Sequence, residues 1–253
     1  MYDLNGVRCT VEDGVATITL ARPEVSNSID LATARSFGAA VDAVGADDAA
    51  RVILLTGDGP RFCAGGDVAW VAGAADPASA LLELANELDG VLHRLSALPK
   101  PVVASVQGAA AGAGLGVVLA ADVVVSARST RYLTAYAGVG LTPDCGVSWL
   151  LPRAVGQQRA LELALTGRVL SADEAQDWGL VTTVVEDDEL ATATAQVAAK
   201  LADASPYALG QTRRLIRSSY AVSRANSGAD ESRTVSVAVG TAEAQAAIAR
   251  FVK

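Results

Sequence analysis

The sequence predicts an α/β fold in which strands dominate the first part of the chain and helices the last part. Two short runs of apolar and β-branched residues, 51–57 and 102–106, are each followed by a bend of small residues and then by a helical pattern. From residue 189 the spacing is helical to the end of the chain, with a break at Ser205-Pro206. Hydrophobic residues make up 51% of the 253 residues and aromatic residues only 4%. This composition indicates a large core built from Ala, Val and Leu.

The first hundred residues predict a hairpin, three helices and one buried strand. Residues 7–13 and 15–21 read as two strands, and Asp13-Gly14 between them is a turn signal typical of a β-hairpin. Asp30 and Asp67 each precede a helical pattern and are expected to cap it. The predicted helices of this part lie at 31–45, 68–73 and 77–98.

Residues 102–122 are the stretch around which the chain is organised. An apolar strand at 102–106 leads into a bend made of Gly108, three alanines, Gly112 and Gly114, and the first turns of a buried helix follow. Free backbone N–H groups at such a helix start bind negative charge. The alternatives are a tightly packed structural unit, which small residues also favour, and a membrane span over 101–121. The span is disfavoured because the stretch is dominated by Gly and Ala and contains polar side chains.

The second half of the chain predicts further strands and then helices. Strands are expected at 122–127, 131–135 and 180–186, with a loop at 138–149 that carries Asp144. Ser171 and Glu174 have the spacing of a capping box. A boundary near residue 188 divides the chain into a core, 1–188, and a helical C-terminal region, 189–253.

Composition excludes several classes of function. The net charge is −8 and there is no basic block, which argues against nucleic-acid binding. Three separated cysteines without a CxxC motif indicate neither a disulfide framework nor a metal site. The N-terminal residues show no signal-peptide pattern. We therefore expect no membrane association, no metal and a reducing, cytoplasmic setting.

The two strand–bend–helix units predict one shared site. The bends are residues 63–67 and 112–114. Parallel neighbouring strands bring such bends to the same edge of a sheet, where open α/β folds bind ligands. Two N–H groups directed at one point would form an oxyanion hole.

Several motifs in order resemble the crotonase (enoyl-CoA hydratase/isomerase) superfamily. They are RPEVSNSID, RFCAGGDVAW, PKPVVASVQGAAAGAGLGVVLAADVVV, GLTPDCGVSWLLPRAVG and LTGRVLSADEAQDWGLV, spanning about residues 15–185. The resemblance implies a spiral of ββα units, a C-terminal trimerisation region and a homotrimer or hexamer formed as a dimer of trimers. It also implies an acyl-CoA thioester as the ligand, so that coenzyme A is part of the substrate and no separate cofactor is needed.

The resemblance also implies which residues form the site. The thioester oxygen would lie between the N–H groups of Ala64 and Ala113, and the adenine would lie near the backbone of residues 64–68. Arg22 and the terminal Lys253 would approach the CoA phosphates, although solvent-exposed cations are equally expected there. The expected substrate-binding residues are Arg22, Ala64, Gly65, Gly66, Asp67, Val68, Ala113 and Tyr136.

Departures from the hydratase pattern point to a different reaction. The two positions that carry glutamates in hydratases of the family are Gly116 and Tyr136 here. A carboxylate stands eight residues beyond Tyr136, at Asp144, where double-bond and ring-epoxide isomerases of the family carry an acid. PDCGVSWLLPR is especially similar to the ring-epoxide isomerases. One carboxylate suffices for an isomerase, because it can remove a proton from one carbon and return it to another.

The sequence thus predicts an acyl-CoA isomerase with Asp144 as the proton carrier. Three alternatives stay open: a hydratase, a catalytically inactive CoA-binding or assembly protein, and a hydrolase or dehalogenase that uses Asp144 as a nucleophile. For Asp144 itself the alternative is an N-cap of the following helix, and for Tyr136 it is a packed core aromatic.

Overall fold

A computed structural model describes residues 2–252 of the chain. The ten strands found in this range are β1 (Tyr2–Leu4), β2 (Val7–Glu12), β3 (Val15–Leu20), β4 (Val52–Gly57), β5 (Val102–Val106), β6 (Ala109–Ala111), β7 (Val123–Ala127), β8 (Arg131–Leu133), β9 (Leu170–Ser171) and β10 (Thr183–Val185). The α-helices found there are α1 (Leu31–Ala46), α2 (Val68–Ala72), α3 (Pro77–Ala97), α4 (Ala113–Ala120), α5 (Val147–Val155), α6 (Gln157–Thr166), α7 (Ala172–Asp177), α8 (Leu190–Ala202), α9 (Pro206–Ser218), α10 (Arg224–Ala238) and α11 (Ala242–Phe251).

Two sheets organise these elements and confirm the predicted α/β class. The larger sheet has seven strands in the order β1-β2-β3-β4-β5-β7-β10. The pairs β1-β2 and β2-β3 are antiparallel, whereas β3, β4, β5, β7 and β10 run parallel to one another. The smaller sheet has the order β6-β8-β9. Because β4 and β5 are parallel neighbours, the bends that follow them lie at the same edge of the large sheet.

Local signals in the sequence fix many of the element ends. The turn between β2 and β3 uses Asp13 and Gly14, both at positive φ, as a two-residue hairpin requires. The carboxylates of Asp30 and Asp67 accept from backbone N–H groups in the first turns of α1 and α2. Ser171 and Glu174 form the reciprocal capping box of α7.

The three alanines after β5 differ from the prediction. They form the strand β6, which pairs in parallel with β8, instead of part of a bend. Three small residues give no strand signal of their own, so this strand is set by its pairing partner. The helix α4 begins at Ala113, directly after Gly112.

The C-terminal region is helical as predicted, but the core continues past residue 188. The buried side chains of α8 pack on the large sheet in a cluster with Val52, Val103 and Val125. The next helix, α9, is fastened by the buried Arg213, which pairs with Asp122 at 2.6 Å and donates to backbone carbonyls at the end of α3. By contrast α10 buries no side chain.

None of the helices among residues 2–252 has the length and apolarity needed to cross a membrane. The span considered for residues 101–121 is instead a strand, a second short strand and an eight-residue helix.

Candidate active site

The two bends lie side by side, as the sequence predicted. Backbone hydrogen bonds join them directly: the Cys63 N–H donates to the Ala109 carbonyl at 3.1 Å, and the Ala111 N–H donates to the Cys63 carbonyl at 3.0 Å. The first bend therefore pairs with β6 through a single β-bridge between Cys63 and Ala110.

Glycine allows this close approach. Gly65 has φ +104°, and a Cβ at this position would lie 2.9 Å from the Ala111 carbonyl oxygen and 3.4 Å from the Ala113 nitrogen. A side chain at residue 65 would therefore force the two backbones apart.

The hydrogen-bond pattern of the first bend corrects one predicted donor. The Ala64 N–H donates to the Ser26 carbonyl at 3.0 Å, so it is not available for a ligand. Two residues on, the Gly66 N–H has no acceptor among residues 2–252, although Gly65 and Asp67 on either side pair with Ile29. The free donor of this bend is therefore Gly66 and not Ala64.

The second bend provides a free donor where it was predicted. Ala113 is the first residue of α4, so its N–H has no partner within the helix, and no acceptor contacts it in the described part of the chain. The residue is only 3% exposed. An N–H group at a helix start without an acceptor can donate to a ligand, which makes Ala113 a candidate donor.

Loop 21–30 braces the first bend. The Asn27 side chain donates to the carbonyls of Asp58 and Arg61 at 2.9 and 2.8 Å, and its backbone carbonyl accepts from the Cys63 thiol at 3.1 Å. Ser26 and Asn27 both have positive φ, which turns their carbonyls toward the bend. The sequence marked this segment only as a turn-rich loop.

Arg22 lies in the same loop with its charge already paired. Its guanidinium contacts Asp30 at 3.0 Å and Asp67 at 3.2 Å, and its side chain is 20% exposed. A CoA phosphate would have to compete with both carboxylates for the Arg22 guanidinium. The ion pairs therefore give no support to the predicted contact between Arg22 and a phosphate. Val68 is 54% exposed beside them. Lys253 lies outside the described residues.

Asp144 and Tyr136 form the second part of the site. The Tyr136 hydroxyl donates to Oδ1 of Asp144 at 2.6 Å. The Tyr136 ring lies against the second bend, since its Cζ would be 3.9 Å from a Cβ at Gly112. The phenol thus connects the carboxylate to the start of α4, and this contact was not predicted.

The alternative role of Asp144 as a helix N-cap is wrong. The N-cap of α5 is Gly146, and no side chain caps this helix. The carboxylate of Asp144 is instead oriented toward Tyr136, and the residue is only partly exposed.

The groups around Asp144 are kept in their neutral forms. Burial, and then the charge of Asp144, raise the pKa of the Tyr136 phenol well above its usual value. The same two causes raise the pKa of the neighbouring Cys145 thiol. Cys63, at the base of the first bend, has its pKa raised to about 12 by burial. No thiol here is suited to nucleophilic attack at neutral pH.

The Asp144 loop occupies the space that a side chain at residue 116 would need. A Cβ at Gly116 would lie 2.9 Å from the Cys145 carbonyl oxygen and 3.1 Å from the Cys145 Cβ. Cys145 itself has φ +50°, an uncommon conformation for a residue with a Cβ. A glutamate at position 116 would therefore force the Asp144 loop to shift, and the sequence has none there.

A separate cavity borders the Asp144 loop at Cys145. It has a volume of about 910 Å³ and lies between α3, α5 and α9, with Leu92, Trp149 and Ile216 among its lining residues. Cys145 and Gly146 border it, but the two bends and Asp144 do not.

Comparison with known proteins is consistent with this geometry. Residues 10–253 match the sequence model of the family "Enoyl-CoA hydratase/isomerase". The chain is 41% identical over 212 residues to the 1,2-epoxyphenylacetyl-CoA isomerase of Escherichia coli (strain K12), covering 82% of this chain and 80% of the relative. It is also 41% identical over 181 residues to a "probable enoyl-CoA hydratase" of Rhodobacter capsulatus, covering 72% and 69%.

A crystal structure of an enoyl-CoA hydratase from Polaromonas sp. JS666 has the same fold. It superimposes with a TM-score of 0.91 at 29% identity, covering 97% of this chain and 96% of that chain.

Proposed function

The chain belongs to the enoyl-CoA hydratase/isomerase (crotonase) family, and on this premise we propose that it is an acyl-CoA isomerase in which Asp144 transfers the proton. The observation that carries the proposal is the arrangement of the acids. Both positions that would hold a hydratase glutamate lack a carboxylate, while Asp144 is held against the second bend by Tyr136. The expected substrate is a CoA thioester whose double bond or ring is rearranged.

In this proposal the thioester oxygen accepts hydrogen bonds from the N–H groups of Gly66 and Ala113. These donors stabilise the oxygen more strongly as it becomes an enolate than as a carbonyl, which lowers the barrier. Both donors are free in the described structure, and both lie in bends that contact each other.

Asp144 then carries the proton in two steps. With a 3-enoyl thioester, its carboxylate takes a proton from the α-carbon, and the C–H electron pair moves to the thioester oxygen to give a dienolate. The carboxylic acid returns the same proton to the γ-carbon, the oxygen reforms its carbonyl, and the product is the 2-enoyl thioester. No water is consumed, so a second acid is not required.

A hydratase is the second candidate, because one of the similar relatives is named a probable enoyl-CoA hydratase. Hydration needs one group to activate water and another to protonate the α-carbon. Of the three positions compared, 116, 136 and 144, only residue 144 has a carboxylate. This favours isomerisation. A CoA-binding protein without activity and a hydrolase or dehalogenase using Asp144 as nucleophile are the weaker alternatives.

Two substrates separate these functions. We expect purified protein to convert a 3-enoyl-CoA to the conjugated 2-enoyl-CoA, and to form 3-hydroxyacyl-CoA from crotonyl-CoA much more slowly. Fast hydration of crotonyl-CoA would reject the isomerase proposal. An acyl-aspartate trapped at Asp144 would instead support the nucleophilic alternative, and no turnover of any thioester would support the binding protein.

We further propose that the chain assembles into a homotrimer or a hexamer. The support is the set of exposed apolar side chains in the C-terminal region, which includes Val235, Val237, Val239 and Ile248. Light scattering coupled to size-exclusion chromatography tests this, and a monomeric mass would contradict it.

A further inference from the structure

Tyr136 stands where hydratases of the family carry a glutamate, and the structure pairs it with the carboxylate of Asp144. Its hydroxyl donates to Asp144 Oδ1 at 2.6 Å, its ring lies against Gly112, and the residue is 9% exposed. We propose that Tyr136 is a positioning residue that holds the Asp144 carboxylate beside the second bend in the orientation needed for proton transfer. This inference rests on the proposed isomerase function.

The hydrogen bond from Tyr136 is the main restraint on the Asp144 carboxylate, because no cation pairs with it in the described residues. None of the ion pairs found among residues 2–252 includes Asp144. Asp89 on α3 lies near Gly146, two residues after Asp144: its Oδ1 would be 3.8 Å from a Cβ at Gly146. It has the same charge as Asp144. The carboxylate is therefore held by neutral groups and not by a cation.

Tyr136 stays a hydrogen-bond donor over the working pH range. Its burial and the charge of Asp144 both raise the pKa of the phenol, so the hydroxyl keeps its proton. The neighbouring Cys145 thiol is likewise neutral, because burial and Asp144 raise its pKa. A neutral phenol donating to a carboxylate is a charge-assisted bond, which is short and strongly directional.

The backbone brings the two side chains together at some conformational cost. Ala135, directly before Tyr136, has φ +62°, and Cys145, directly after Asp144, has φ +50°. Residues with a Cβ rarely adopt this region. Two such residues flanking one hydrogen-bonded pair indicate that the surrounding structure fixes the positions of both partners.

Tyr136→Phe tests the inference, because it removes the hydroxyl and keeps the ring. Tyr132→Phe is the matched control: Tyr132 is 1% exposed and its hydroxyl donates to Ser126 at 2.8 Å, so it also loses a buried hydrogen bond, but one without contact to Asp144. Asp144→Asn is the reference for a lost proton carrier. All variants are compared by circular dichroism and thermal melting before kinetics.

We expect Tyr136→Phe to lower kcat for the 3-enoyl-CoA by about ten- to a hundredfold, since hydrogen bonds to charged groups have this effect on equilibria. KM should change by less than about threefold, because the carbonyl donors are intact. The loss should therefore fall on kcat and not on KM, which indicates a misplaced proton carrier and not a damaged binding site. Tyr132→Phe should leave both kcat and KM unchanged.

The outcomes separate this inference from the proposed function. An inactive Asp144→Asn together with a Tyr136→Phe whose kcat and KM match those of Tyr132→Phe overturns the inference alone. A wild-type protein without isomerase activity, or an Asp144→Asn variant with undiminished activity, overturns the proposed function and the inference with it.

Discussion

Gly116→Ala should disturb the site from inside the helix α4, because the Asp144 loop lies directly on this glycine. The added Cβ would be 2.9 Å from the Cys145 carbonyl oxygen, about 0.5 Å closer than the 3.4 Å at which ordinary contact begins. It would also lie 3.1 Å from the Cys145 Cβ and 3.4 Å from Val147 Cγ2. The added Cβ would lie between the backbone of Cys145 and its own helix α4, and no flexible side chain there can move aside. The Asp144 loop must therefore move.

The magnitudes follow from this displacement. Alanine in a helix interior gains about 1 kcal/mol over glycine, whereas overpacking a buried site costs about 1–3 kcal/mol. We expect a net loss of about 1 kcal/mol in the free energy of unfolding, or a decrease in Tm of about 3 °C for a chain of this size. Because Asp144 precedes Cys145, a shift of this size should lower kcat by about tenfold.

Gly90→Ala is the matched control for this prediction. Gly90 is also an interior helical glycine, on α3, but a Cβ there would meet only the end of the Arg94 side chain, at 3.7 Å. The free energy of unfolding of this variant should rise by about 0.5–1 kcal/mol, and its activity should be unchanged. Thermal melting and the 3-enoyl-CoA assay measure both variants. A Gly116→Ala protein as stable and as active as Gly90→Ala would refute the packing argument, and so would a Gly116→Glu protein that hydrates crotonyl-CoA.

Three further predictions concern stability and reactivity. Asp122→Asn should lower the free energy of unfolding by about 3 kcal/mol in denaturant titrations, because it leaves the buried Arg213 without its counter-charge. A decrease below about 1 kcal/mol would show that this ion pair does not hold α9 in place. Cys63 should resist thiol reagents in the native protein at pH 8, since burial raises its pKa to about 12, and rapid labelling without unfolding would contradict its assigned surroundings. Tyr132 and Tyr136 bind their protons more tightly in the folded protein, because burial raises the pKa values of both phenols above the unfolded value of 10.0. Their contribution to the free energy of unfolding should therefore be constant below about pH 10 and should fall at higher pH. Unchanged stability up to pH 11 would contradict the burial of the two phenols.

The sequence predicted those parts of the fold that depend on local chemistry. The Asp13-Gly14 turn, the caps at Asp30 and Asp67, and the capping box at Ser171 each rely on residues within four positions of one another. The meeting of the two bends was also predictable, since it follows from two parallel strands.

What the sequence could not provide depends on distant partners. The first bend contains several N–H groups, and Ala64 loses its availability only because loop 21–30 places the Ser26 carbonyl opposite it. The strand β6 exists because β8 lies beside three alanines that have no strand signal of their own. The bond between Tyr136 and Asp144 joins two residues of a loop whose path is fixed by the fit of Cys145 against Gly116.

A crystal structure with a bound acyl-CoA thioester tests the central claim most directly. We predict that the thioester oxygen lies about 3 Å from the nitrogens of both Gly66 and Ala113, with the Asp144 carboxylate facing the α- and γ-carbons. A thioester oxygen bound elsewhere, or an α-carbon on the side of the bends away from Asp144, would contradict the account.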